Sequence, residues 1–432
     1  MTLLRRNIIL FTSIFITLII YFTWIYQPRL LTHNFQPAFY FDAHFLSRFL
    51  LYPGGLTDAL SLFIFQFMES DGAGSLVLSA TLTLTTVTIF AILQKQRLDK
   101  LPLLTSLIPT SLLLVLFGEY NTPLVIAIKF TLVLLLVNGF LRGKQWIRLL
   151  YLGLSPLLYV FLGGWFYLYF ILLALVGNVI AQKSISAVLL PALFGILYLL
   201  SAVISSRFLY QIPLREAFFY LVPYEFYYGL IQFQPNMAFY GLCGSLPLLL
   251  LLQRFGAVIG QKWFKISLVH GTKSRRPIFD GILAAILLLM AMAATLKPEQ
   301  KKKVQIDESA SVGNWNKVLR ETKKLKHYDR LVEFHTNRAL YFRGCLLDSL
   351  FNYDHPAGVN GLFIDREMAN QIALPASDLY FDLAHINAAQ VMAYEYQSKL
   401  RYNPRIIKRL VLTHIINGQY AAAEKFLRIL EK

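Results

Sequence analysis

Asp42 and His44 stand two residues apart in FDAHF, and Asp58, Glu69 and Asp71 add three more carboxylates within the next thirty residues. A carboxylate beside an imidazole can take a proton from an attacking hydroxyl, or hold a divalent cation. The cations that would answer such a site are sparse: Lys129 inside the apolar run LVIAIKFTLVLL, and Arg207 and Arg215 among aromatic residues. Arginine in such a setting can hold phosphate, and a charge inside lipid is costly enough to be functional by default. Each residue also has an ordinary reading. Asp42 suits the N-cap of a helix over residues 43–51, Asp58 the first turn of another, and Glu69 and Asp71 a polar turn. The arginines suit headgroup contact, and Lys129 a side chain extended to the interface or paired with Glu119. There is no Walker-type loop, HExxH, CxxC or nucleophile elbow, so catalysis of the soluble kinds has no support.

The elements that position these residues follow from composition. The chain has 432 residues, 56% of them hydrophobic, with a mean hydropathy of +0.53. One soluble core cannot absorb that much apolar surface. Apolar runs long enough to cross about 30 Å of hydrocarbon as helices recur up to Leu296 and then stop. The formal charge of +17 is not the footprint of a nucleic-acid protein, because 20 of the 41 cationic residues precede residue 297, mostly in short loops between apolar runs. Cys243 and Cys345 lie in different regions and suggest neither a disulfide framework nor a metal site.

The runs predict about nine spans, at 7–26, 74–94, 101–118, 122–141, 146–163, 164–182, 185–205, 237–253 and 278–296. ATLTLTTVTIF at 80–90 alternates like a strand, but a strand in lipid would leave its backbone unpaired, so a Thr-striped helix is expected. With the N-terminus inside, fifteen Lys and Arg fall in cytoplasmic segments against four in the outer loops between helices. That bias sets the orientation and places the soluble tail outside, although KPEQKKK after the last run pulls the other way. Were residues 55–68 of YPGGLTDALSLFIFQF a further span, every later loop would change sides, so this segment is expected not to cross. Its Leu56, Leu60, Phe63, Ile64 and Phe67 form an apolar stripe suited to a helix in the outer interface. Interfacial helices at about 39–68 and an aromatic outer loop at 205–236 could together roof a cavity, or simply form an aromatic belt.

Residues 297–312 read as a basic linker and 313–432 as a helical tail. Four turn signatures, at Gly313, Gly344, Asn387 and Gly418, lie 31, 43 and 31 residues apart, close to the ~34-residue period of tetratricopeptide helix pairs. The alternative is an irregular helical domain. The tail histidines, His335 among them, read as packing or surface residues. The apolar last turns FLRILEK have no capping helix after them, which suggests a partner on that face or a chain continuing further.

YPGGLTDALSLFIFQF, NRALYFRGCLLDSLFNYDHPAGVNGLF and IIKRLVLTHIINGQYAAAEKFLRILEK together resemble an uncharacterised bacterial family of polytopic membrane proteins carrying a domain of unknown function. Its members generally continue beyond this point, which favours an incomplete repeat domain. In topology the chain also resembles the C-type (GT-C) glycosyltransferases, which use polyprenyl-phosphate-linked sugars. That resemblance implies Asp42 as base with His44 or Asp58 nearby, and Arg207, Arg215 and Lys129 for the lipid phosphate. Glu69 and Asp71 could then hold a divalent metal.

The expectation is an all-α polytopic transmembrane bundle, 1–296, followed by a tetratricopeptide-like tail. The protein would sit in the inner membrane among its lipids, with the tail extracytoplasmic and no role for nucleic acid. Two activities compete, transfer from a lipid-linked sugar and a non-enzymatic scaffold whose tail recruits a protein partner. A transporter ranks third, since no inverted repeat is visible.

Overall fold

The computed structural model describes residues 3–33, 39–96, 101–120, 122–181, 186–219, 237–262, 276–361, 373–400 and 403–431. Every regular element among the described residues is helical. In chain order these are α1 (Leu3–Ile20, continued by a π turn at Tyr21–Tyr26), α2 (Arg29–His33), α3 (Ala43–Ser47), α4 (Gly55–Phe65), α5 (Asp71–Gln96) and α6 (Pro102–Leu116). Then follow α7 (Leu124–Arg142), α8 (Gln145–Gly153), α9 (Ser155–Leu162), α10 (Gly164–Ala181), α11 (Ser186–Ile204), α12 (Leu214–Phe219), α13 (Met237–Lys262) and α14 (Arg276–Thr295). The last eight are α15 (Pro298–Ser311), α16 (Trp315–Thr322), α17 (Arg330–Phe342), α18 (Leu346–Ser349), α19 (Ala373–Asp382), α20 (Ile386–Leu400), α21 (Pro404–Ile416) and α22 (Tyr420–Leu430). The chain forms two compact units: Met1–Pro28 with Asp42–Leu296, and Arg29–Phe41 with Lys297–Lys432.

The first unit has the helix content of a membrane protein. Five helices are long and apolar enough to cross a bilayer: Arg5–Tyr26, Asp71–Gln96, Leu124–Arg142, Val188–Leu209 and Ile278–Thr295. A sixth crossing is available if α8 and α9, bent by 62°, count as one. The bend sits where Pro156 removes a helix amide. The runs at Pro102–Leu116, Gly164–Ile180 and Met237–Leu252 are apolar but shorter. Of the nine expected runs, five are full-length, one is a broken pair and three are short. α1, α11 and α14 expose Ile8, Ile16, Leu189, Ile196, Leu289 and Met290, a surface that only lipid would solvate.

Polar contacts between these helices show why apolar runs settle in one arrangement. The Thr stripe of α5 is helical, as expected, and its hydroxyls bond back to carbonyls one turn earlier, Thr85 to Thr81 and Thr86 to Leu82. They also reach across, Thr85 to Thr131 of α7 at 2.7 Å and Thr86 to Thr110 of α6 at 3.0 Å. Such interhelical bonds average about 0.6 kcal/mol each in membranes. At the N-terminus of α6, the carboxylate of Asp280 accepts the amides of Leu103 and Leu104 at 3.0 and 2.9 Å, capping a helix of a different segment.

The segment predicted not to cross, α4, packs against α7 and α9. Leu56, Leu60 and Phe67 of the apolar stripe are exposed, while Thr57, Asp58, Ala59, Ser61, Leu62 and Phe65 face inward. A soluble helix would do the opposite; in lipid the apolar face can point outward and the polar one must find partners inside.

In the second unit the expected basic linker is part of the core. Residues 297–312 form α15, whose Ile306 and Ala310 pack with Val318, Leu325, Val332 and Ala339. Lys301, Lys302 and Lys303 in its first turns are only half-buried, and Asp307 is buried beside the apolar residues, so a charge-rich composition mimics a linker. Four helix pairs, α15–α16, α17–α18, α19–α20 and α21–α22, close with the same turn. In each, a residue in the left-handed region, Gly313, Gly344, Ala384 or Gly418, donates to the carbonyl three back. The next amide donates to the carbonyl five back, as in His385 to Tyr380 at 2.8 Å. The third turn is therefore centred on Ala384, three residues before Asn387, where the sequence pattern put it. Ala384 holds φ 61° without being glycine. Ala384→Gly is expected to stabilise the second unit by about 0.5–1 kcal/mol, read as a higher midpoint of thermal unfolding.

Candidate functional site

The densest chemistry in the first unit is built where Pro53-Gly54-Gly55 meets Gly163-Gly164. Gly54 adopts φ +84°, and a Cβ there would fall 2.9 Å from both Gly163 Cα and Lys129 Nζ, so only glycine lets the two segments close. Its amide donates to Val160 O at 2.7 Å. The Thr57 hydroxyl bonds Gly54 O and Phe161 O, both at 2.8 Å. This fixes the first turn of α4 and aims Asp58 at α7. Asp58 Oδ1 lies 2.6 Å from Lys129 Nζ, both side chains having no exposure at all. Tyr52 donates its hydroxyl to the other oxygen, Asp58 Oδ2, at 3.0 Å. Two residues singled out separately in the sequence are thus one ion pair, and the partner of Lys129 is Asp58.

Burying two charges costs several kcal/mol per ion, which close geometry and added hydrogen bonds must offset. Here Tyr52 supplies one such bond. With both side chains fully buried, the pair holds α4, an eleven-residue helix, against α7, which is long and apolar enough to cross a bilayer.

Asp42 occupies the N-cap position of α3 with extended backbone (φ −126°, ψ 133°), yet its side chain makes no capping bond to the helix. The carboxylate is half-buried. His44 of α3 and Arg48, just past its end, are one turn apart, with Arg48 Nη2 3.2 Å from His44 Nε2. Phe45 and Phe49 bury the opposite face, and the backbone of Phe49 abuts Gly55 so closely that a Cβ there would collide with the Phe49 carbonyl. The site of α3 is therefore set by the start of α4. Glu69 is exposed and Asp71 half-buried at the start of α5. Among the described residues no group of three His, Cys, Asp or Glu is placed to hold a metal. Arg207 and Arg215 are both exposed. Beside Arg215, burial raises the Glu216 carboxyl above its usual range, against the pull of that arginine. Of the aromatic loop 205–236, the part from 220 onward lies outside the described residues.

The second unit contains a charge network that sequence reading missed. Asp307 of α15 accepts from His33 of α2 at 2.5 Å and from His335 of α17 at 2.9 Å, and lies 3.5 Å from Arg405 of α21. Arg405 and Arg409 both bind Asp378 of α19, at 2.5 and 2.7 Å. Arg338 binds Asp382 Oδ2 through Nε at 2.9 Å and Nη2 at 2.5 Å. Burial alone would raise the Asp307 carboxyl, but Arg405 and the two histidines hold it well below the usual carboxylate range. Burial likewise pushes the His335 imidazole down, more than Asp307 lifts it.

A family model described as "Family of unknown function (DUF6057)" matches residues 3–432. The chain belongs to this family. No curated protein and no solved structure matches it. Since the DUF6057 match runs through both units, the pair and the network lie within one family region. The network of this DUF6057 member had only a weak signal in the sequence: tail carboxylates and arginines at helical spacing, without the register that joins them. His33 had none, because its partner is 274 residues away.

Proposed function

We propose that this DUF6057 member is a multi-pass protein of the cytoplasmic membrane that transfers a glycosyl group from a polyprenyl-phosphate carrier at its outer face, in the manner of C-type glycosyltransferases. The observation that carries the reading is the pair of short helices α3 and α4 after the first apolar run. α4 is anchored by Asp58–Lys129, and Asp42, His44 and Arg48 are displayed at the adjoining α3. In this scheme Asp42 takes the proton of an acceptor hydroxyl as its oxygen bonds to the anomeric carbon and the bond to the carrier phosphate breaks. The exposed Arg207 and Arg215 receive the phosphate that leaves.

Topology supports the same reading. His33 follows α1 and Asp307 follows α14, and their contact suits a chain with an even number of crossings between them. Eight are available: α5, α6, α7, the bent α8–α9, α10, α11, α13 and α14. With α1 these would make nine in the proposed topology, in which the positive-inside bias argues for a cytoplasmic N-terminus.

The second reading is a scaffold, favoured by the four identically closed helix pairs at Gly313, Gly344, Ala384 and Gly418, which suit a tetratricopeptide-like array. Native mass spectrometry of the purified protein separates the two. The enzyme reading expects a co-purified polyprenyl phosphate that is lost in Arg215→Ala, and transfer activity lost by at least about a hundredfold in Asp42→Asn at unchanged abundance. Bulk phospholipid only, with Asp42→Asn tolerated in cells, would leave the scaffold.

A further inference from the structure

Lys95, Arg142 and Arg148 meet at the end of the first unit where α5 and α7 finish. The carbonyl oxygen of Leu141, in the last turn of α7, accepts from two of them: Lys95 Nζ of α5 and, at 3.3 Å, Arg148 Nη2 of α8. Arg142, the next residue of α7, reaches the other way and donates Nη2 to Ala91 O, one turn before Lys95, at 3.1 Å. Both guanidinium groups bear on Lys95 as like charges. α10 joins the cluster, Asn178 Oδ1 accepting Arg148 Nη1 at 3.3 Å and Gly177 O accepting Gln96 Nε2 at 3.0 Å.

Each cation alone has an ordinary explanation. α5, α7 and α10 all end here, and a helix C-terminus carries about half a negative charge that a cation offsets. The charges do not balance, however. Set against three whole positive charges, the three half-charges leave a surplus of about one and a half, and among the described residues no carboxylate pairs with Lys95, Arg142 or Arg148. Donors are left over as well. An ammonium has three N–H groups and a guanidinium five, yet Lys95 and Arg142 give one bond each to the protein, and both are exposed. The surplus is therefore open to an anion from outside, with the half-buried Arg148 holding the floor of the cluster.

α8 indicates the kind of anion. It buries none of its residues, and Trp146, Leu149 and Leu150, within two residues of Arg148, are 63%, 53% and 51% exposed. A free phosphate would leave that apolar face bare, whereas a lipid with its phosphate among the cations lays its chains along it. An indole at headgroup depth fits the same arrangement. We propose that Lys95, Arg142 and Arg148 bind the headgroup phosphate of one anionic phospholipid, whose acyl chains run beside Trp146, Leu149 and Leu150. Along α5 the cluster lies about 36 Å from Asp71, so the site does not depend on glycosyl transfer at the other end of that helix.

Native mass spectrometry of the full chain tests this, with palmitoyl-oleoyl phosphatidylglycerol, palmitoyl-oleoyl phosphatidylcholine or glycerol 3-phosphate added in detergent. Wild type is expected to keep one phosphatidylglycerol at collision energies that strip phosphatidylcholine, and to retain no glycerol 3-phosphate. Lys95→Gln and Arg142→Gln, which leave Arg148 in place, should each weaken phosphatidylglycerol binding about fivefold, and together about twenty-five-fold. Arg5→Gln removes an exposed cation at the start of α1 and should change nothing. Added phosphatidylglycerol should also raise the unfolding midpoint of wild type more than phosphatidylcholine does, an advantage the double variant loses. Equal retention of the two lipids, or an equal loss in Arg5→Gln, would overturn the proposal in favour of unspecific adsorption. Retained glycerol 3-phosphate would overturn it in favour of a soluble phosphate ester, and a double variant with wild-type affinity would take the cations out of any lipid site.

Discussion

Lys129→Met alone is expected to cost about 3–5 kcal/mol and leave little folded protein, because it strands the Asp58 carboxylate in a dry interior. Asp58→Asn alone should cost about as much by stranding the ammonium. The double substitution Asp58→Asn with Lys129→Met should recover most of the loss. The charges leave together, and the new side-chain amide keeps an oxygen to accept the Tyr52 hydroxyl, which lies 3.0 Å from Asp58 Oδ2. Thermal unfolding of the three variants in detergent, against wild type, measures the coupling directly. If the single losses simply add in the double variant, the pair is not what holds α4 to α7. The double variant also separates structure from chemistry. A protein that folds and keeps its activity without either charge assigns both residues to positioning, whereas one that folds and is inactive returns them to the reaction.

Acidification should loosen the second unit in two stages, and Asp378→Asn should do so at any pH. His335 has its pKa lowered in the fold, burial outweighing Asp307. The unfolded chain, with an ordinary imidazole near pH 6.5, therefore binds the proton first, and stability falls as pH drops below about 6.5. Asp307 and Asp378 are also lowered, since Arg405 and its neighbours overcome the burial that would raise them. Their contribution is complete above about pH 4 and is lost as pH falls further through the folded values. Each one-proton difference is worth about 1.4 kcal/mol per pH unit. Hydrogen-exchange protection of α17 and α19 at about pH 7.5, 5 and 3 reads this out, and His335→Gln should remove the first stage. Protection that rises on acidification would refute the scheme. Asp378→Asn leaves Arg405 and Arg409 without the carboxylate they share, and is expected to cost about 3–5 kcal/mol.

What could be read from the sequence follows the range of the forces involved. The long apolar helices and the helical Thr stripe are local or summed properties, legible from composition and period. Asp58 and Lys129 each stand out because a charge near or within an apolar run is rare. Their pairing does not, because it depends on Gly54 closing against Gly163, a contact between segments with no mark in common. The outward stripe of α4 was visible as a stripe; which way it faced depends on the solvent, and lipid inverts the rule learned from water. In the tail, Gly313, Gly344 and Gly418 mark their turns because the left-handed backbone favours glycine, while Ala384 does the same work with no residue type to announce it. The linker assignment for 297–312 failed for a related reason, since the lysine run 301–303 dominates its composition while Ile306 and Ala310 pack in the core.

The second unit is assembled from Arg29–Phe41 and from Lys297 onward, and this has a bearing on biogenesis. His33 leaves the ribosome 274 residues before Asp307, a wait on the order of tens of seconds at ordinary rates of synthesis. During that interval the short strap has no partner, and the membrane helices must insert around it without trapping it. A fragment begun at residue 297 would lack the strap altogether and present Asp307 with one histidine instead of two. Maturation of this protein is thus bound to finish late, with a segment made early waiting to be clasped by one made near the end.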